Sequence, residues 1–127
     1  MKDNTKEIIE KITKKAVKNL KFIGITSILP ESYKEFLSLY HGLNGSIGEN
    51  SYLQLWPFEN IEESNNDYSV DEFLSNIVLI GSDGGDTAYG INKNGKFIEV
   101  PFIGMDDDEV KEIANDFDGF IEYLFNK

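Results

Sequence analysis

The chain has 127 residues, no cysteine and a formal net charge of −11, which fits one domain over residues 1–127 with a core that needs no staples. Without cysteine there are no disulfides, thiolate metal sites or cysteine nucleophiles. Nucleic-acid binding is disfavoured, because an acidic body repels phosphate and the chain has no arginine fork to grip it.

Hydrophobic residues at 40% and charged residues at 28% are ordinary for a globular protein. There is no apolar leader region and no run of 18 apolar residues. Neither a signal peptide nor a membrane helix is therefore expected, and the expected location is cytoplasmic. Charge is unevenly spread: the first 21 residues hold seven lysines against three acids, and the rest holds five against twenty. A basic protein partner is the electrostatic complement of such a body, although acidity also serves solubility alone.

Residues 4–21 read as an amphipathic helix. Asn4 is placed to cap it, with Glu7 closing a capping box. Ile9, Ile12, Ala16 and Leu20 form the apolar stripe, with Ile8 and Val17 at its margins. Lys14, Lys15, Lys18 and Lys21 gather toward the C-terminal end, which the helix dipole favours. After a connector over 22–27, Pro30 suits the first position of a second helix. Tyr33, Phe36, Leu37 and Tyr40 keep helical spacing, and Gly42 is placed as a left-handed C-cap. His41, the only histidine, has no nucleophile partner in any motif.

Residues 41–48, HGLNGSIG, read as a loop. They do not form a G-x-G-x-x-G phosphate cradle. A strand over 51–56 stops at Pro57. Trp56, the sole tryptophan, is open to two readings, core residue or interface anchor. Residues 59–68 are polar with a helical turn at 60–63, and a short helical or turn segment follows at 70–74. Six carboxylates lie between Glu59 and Glu72 without an EF-hand pattern, which leaves a solvated acidic face or a surface for a basic partner.

The strongest β signal is residues 76–103. Ile77-Val78-Leu79-Ile80 is a strand-length apolar run, and Ser82-Asp83-Gly84-Gly85 supplies a turn into a strand over 87–92. Asn94-Gly95 signals a type I′ hairpin, and the next strand puts Ile98, Val100 and Phe102 on one face. Asp106-Asp107-Asp108-Glu109 suits the first turn of a last helix, in which Val110, Ile113, Ala114, Phe117, Ile121 and Leu124 keep helical spacing. An alternative start is Asn115, with Asp118 at the third position. The predicted class is α+β, a mostly antiparallel sheet with helices packed on one face.

Leu29-Pro30-Glu31-x-Tyr33-x-x-Phe36-Leu37 followed by Gly42-x-Asn44-Gly45 resembles the opening of the SUKH superfamily in its Smi/Knr-like branch. Ile80-Gly81-x-x-Gly84-Gly85-x-x-x-Tyr89-x-Ile91-Asn92 is similar to that family's hairpin. Ile113-Ala114-x-x-Phe117-x-x-Phe120-Ile121-x-x-Leu124 is similar to its closing helix. The resemblance implies a non-enzymatic domain with no cofactor, metal or catalytic residue. In bacteria such domains commonly act as immunity proteins that neutralise a cognate toxin, often a nuclease. The alternative is a scaffold or regulatory module without a toxin, as in the fungal branch.

On the immunity reading, an acidic surface docks on the basic groove of the toxin. The candidate residues for that surface are Glu59, Asp67, Asp83, Asp86, Tyr89 and Glu99. Asp83 also reads as a turn former, and Glu99 as a solvent-facing strand residue. A third class, a carboxylate-pair hydrolase, requires two acids converging on one cleft with separated pKa values.

Overall fold

Sequence neighbours pair with one another throughout the sheet. In the computed structural model, which describes residues 1–16 and 20–127, six antiparallel strands lie in chain order. They are β1 (Leu43–Ile47), β2 (Ser51–Leu55), β3 (Ile77–Ser82), β4 (Thr87–Asn92), β5 (Phe97–Pro101) and β6 (Lys111–Ala114). The helices are α1 (Asp3–Glu10), α2 (Glu31–Leu39), α3 (Phe58–Asp67), α4 (Val70–Phe73) and α5 (Phe117–Phe125). The class is α+β, as the sequence predicts.

Strand alternation sorts apolar side chains into two clusters. Val78, Ile80, Tyr89, Ile91 and Phe97 meet α1, α2 and α5 on the first face. Ile77, Leu79, Ala88, Ile98 and Val100 meet Val70 of α4, Leu74 just after it, and Met105 on the second. The first cluster is aromatic at its centre, with Phe36 and Phe117 ring centroids 5.0 Å apart and Phe97 and Phe120 5.1 Å apart. Tyr33 lies fully buried among them, and its hydroxyl has no hydrogen-bond partner among the described residues.

Several elements differ from the sequence reading. The predicted helix over 4–21 ends at Glu10. The chain then runs back toward α2, where Ala16 N–H donates to Leu39 O at 2.6 Å and Lys15 bridges Tyr40. Ile12 turns under β1, where a Cβ on Gly45 would lie 2.8 Å from its Cγ2. Lys14 and Lys15 therefore cap no helix, and Val17 and Lys18 lie outside the described residues. Asn4 sits inside α1 rather than at its cap. Asp118 of α5 serves instead, its Oδ1 accepting from Lys2 N–H at 2.8 Å and from the Thr5 hydroxyl at 2.6 Å.

Pro30 stands one step earlier than predicted, at the N-cap of α2, and Tyr40 rather than Gly42 ends that helix. Gly42, at φ +91°, is needed for a close approach, because a Cβ there would meet Leu55 O at 2.8 Å. The predicted loop over 41–48 contains β1, since Leu43 and Ile47 alternate into the core and pair with Leu55 and Ser51. The helical turn expected at 60–63 extends to all ten residues of α3.

The Asn94-Gly95 hairpin forms, but with a three-residue loop in which only Gly95 has positive φ. Asn92 closes it, its Oδ1 accepting from Asn94 N–H and Lys96 N–H at 3.0 Å each. The acids at 106–109 do not start the last helix. Asp106 caps a 3-10 turn, and Asp107 binds Ser75 N–H and its hydroxyl at 2.9 and 2.8 Å. After Val110, residues 111–114 form β6 along the outer edge of β5. The final helix starts near the alternative site, with Asp116 accepting from Gly119 N–H at 2.8 Å.

Candidate protein-binding surface

Along β2, Leu53 and Leu55 enter the first core cluster. Tyr52, Gln54 and, one step beyond the strand, Trp56 therefore project to the second face. There Trp56 meets Tyr68, their rings 6.1 Å apart and 11° from parallel. Tyr68 in turn meets Phe102 at 4.8 Å and 33°. Local structure sets this run of three rings. Tyr68 is the C-cap of α3, and Ser69, at φ +52°, reverses the chain into α4. Phe102 is held at the end of β5, where its N–H donates to Asp86 O at 2.9 Å.

Beyond Phe102 lies a shallow cleft of about 160 Å³ lined by Tyr68, Phe73, Phe102, Gly104 and Met105. Phe73 is 51% exposed, Tyr68 47% and Ile103, at the tip of the next loop, 88%. Contiguous exposed apolar groups of this kind mark interaction surfaces, and aromatic side chains are the favoured anchors. Asp67, Asp71, Glu72 and Asp106 lie within two residues of this set in the chain, Asp86 is the backbone partner of Phe102, and all five residues are exposed. No lysine or arginine occurs between residues 35 and 92.

The six sequence candidates fall in three places. Asp67 and Asp86 adjoin the aromatic run, as residue neighbour of Tyr68 and backbone partner of Phe102. Glu59, in the first turn of α3, lies apart and pairs with His41 at 3.2 Å, both side chains about half exposed. Such a surface pair carries little energy. Asp83, Tyr89 and Glu99 form the third group, toward α5.

Asp83 is the turn former, accepting from Gly85 N–H at 2.8 Å and Thr87 N–H at 3.1 Å. Tyr89 is a core residue, 3% exposed, packed edge-on against Phe120 at 5.3 Å. Burial pushes its phenol well above the ordinary tyrosine value, and the Asp83 and Glu99 carboxylates push it further. Glu99 accepts from the Tyr123 hydroxyl at 3.1 Å, so it is tied to α5 rather than free on the strand. Burial, then the Glu99 charge and hydrogen bond, raises the Tyr123 pKa as well.

Sequence reasoning missed Tyr68 and Phe73 as surface residues and took Phe102 only as part of an apolar face. The available signal was Tyr68 and Phe73 standing as isolated aromatics in an otherwise polar stretch.

A wider open cleft of about 400 Å³ borders Trp56 on its other side, with His41, Asn44, Gln54 and Asn60 in its wall. Among the described residues no group of three histidine, cysteine or carboxylate side chains is arranged to hold a metal ion. No described helix is long and apolar enough to cross a membrane.

Among curated proteins the chain finds no match. The family model described as SMI1 / KNR4 family (SUKH-1) matches residues 11–123. That span takes in every strand of the sheet, α2 and most of α5, and the chain belongs to this family.

Proposed function

We propose that this protein is a non-enzymatic binding domain of the immunity type, which neutralises a cognate toxin by occupying its active groove. Membership of a family that often supplies immunity proteins supports the reading. The single observation that carries it is the second sheet face, where exposed aromatic and aliphatic groups adjoin carboxylates and no lysine intervenes between residues 35 and 92. A basic groove built for nucleic acid is the complement of such a face. Occupation excludes the substrate by volume, so the inhibitor needs no chemistry of its own.

Co-expression is the test. A domain encoded beside this gene that is toxic on its own is expressed in cells with and without the protein. Growth restored by the protein is the expected result, and equal killing in both cultures rejects the immunity reading.

A further inference from the structure

The second sheet face needs an occupant, and its charge selects one. A second copy of this chain would bring Asp67, Asp71 and Asp86 against their own equivalents, because a two-fold pair apposes like surfaces. Phosphate-bearing surfaces, lipid or nucleic acid, meet the same repulsion. Among the described residues, cations lie over the rings of Phe22 and Tyr123 and none over Trp56, Tyr68 or Phe102. The aromatic run thus presents π-surface and adjoining carboxylates with no internal counter-ion over the rings, an environment that favours an incoming cation over any other charge.

Size adds a second requirement. The cleft beyond Phe102 holds about 160 Å³ and is lined by Phe73, Met105 and the Tyr68 and Phe102 rings. An apolar cavity of ~150 Å³ takes a group the size of benzene, so one aliphatic side chain fits. Methionine and aromatic walls adapt to such a group without demanding a polar contact. We propose that this face binds a basic protein segment in which arginine alternates with an aliphatic residue. The guanidinium groups lie along the Trp56–Tyr68–Phe102 run against Asp67 and Asp86, and the aliphatic side chain enters the cleft. The proposal deepens the immunity reading by naming the kind of toxin segment that is held, and it rests on that reading for its biological partner.

The test uses the full chain and two synthetic octapeptides, one alternating arginine and leucine, the other with glutamate for arginine. Binding is read by the anisotropy of the labelled peptide and, locally, by emission of Trp56, the sole tryptophan. The arginine peptide is expected to bind saturably and shift Trp56 emission, and the glutamate peptide to do neither. Tyr68→Ala and the pair Asp67→Lys with Asp86→Lys each weaken binding by roughly thirtyfold, the size of a hot-spot loss. Asp3→Lys on α1 leaves it unchanged. Arginine-peptide binding that ignores Tyr68→Ala and the charge reversals overturns the assignment, and so does an unmoved Trp56. Asp67→Asn with Asp86→Asn, which keeps side-chain size, separates lost charge from lost folding and is expected to weaken binding in the same direction. Protection in co-expression with no peptide response leaves immunity standing and removes this face from it. A peptide response without protection does the reverse.

Discussion

The side-chain amide of Asn65 takes the place of a strand beside Leu79. Its Oδ1 accepts from Leu79 N–H and its Nδ2 donates to Leu79 O, both at 2.8 Å, while Nδ2 also reaches Ile61 O at 2.7 Å. The need arises because β2 pairs with β3 only at Gln54–Ser82 and Leu55–Gly81 before the chain leaves the sheet at Pro57. The exposed edge of β3 is thus closed by α3, and the same helix delivers Tyr68 to the second face. Asn65→Leu keeps the volume but strands two buried backbone groups of Leu79. It is expected to lower stability by roughly 2–4 kcal/mol in urea unfolding. A loss below about 1 kcal/mol contradicts this role for the amide.

Tyr33 offers the opposite case. Its hydroxyl is buried with no partner among the described residues, so it contributes desolvation and no compensating bond. Tyr33→Phe is expected to be neutral or to raise stability by up to about 1 kcal/mol, whereas Tyr33→Ala loses about 3–5 kcal/mol through the cavity left between Phe36, Phe97 and Phe117. Denaturant midpoints compare the two. A clear loss in Tyr33→Phe points to a hydrogen bond on the hydroxyl.

Asp118 links the two ends of the chain and carries a pH dependence. Burial opposes its ionisation, but the hydrogen bonds from Thr5 and from Lys2 N–H outweigh burial and hold its pKa below the usual 3.8. A folded pKa below the unfolded value means stability that is fully present above pH 3.8 and is lost as pH falls through the folded value. Asp118→Ala is expected to lose about 0.5–2 kcal/mol at neutral pH, the range of a lost helix cap. In thermal melts the gap between Asp118→Ala and the parent should narrow below pH 4. A gap that stays constant down to pH 2 contradicts the assignment.

Much of the fold was legible because residues 76–103 carry a strand-length apolar run and two strong turn signals, and because sequence neighbours pair. The last helix was placed too early as one reading because Val110, Ile113 and Ala114 fit a helical stripe as well as a strand. What decides is the open edge of β5, which Ala114 and Glu112 fill by pairing with Phe97 and Ile98, and such an edge is visible only in three dimensions. The overlong first helix has the same origin, since the backbone pairing of Ala16 with Leu39 competes with further turns. At the candidate surface, charge was readable and neighbourhood was not. Asp67 and Asp86 lie far apart in sequence, and only the contact of Tyr68 with Phe102 brings their surroundings together. Tyr89 was misjudged as a surface tyrosine because an alternating strand does not reveal which face a helix covers.

The most direct test of an electrostatic binding domain is the association rate with the purified toxin domain as a function of ionic strength. Steered association approaches roughly 10⁸ M⁻¹s⁻¹ at low salt and falls steeply as salt rises. The parent protein is expected to show that fall, and Asp67→Lys with Asp86→Lys to start slower and depend less on salt, with dissociation changed less than association. An association rate that is insensitive to salt, or equal in parent and charge-reversed protein, contradicts an acidic docking face at these residues.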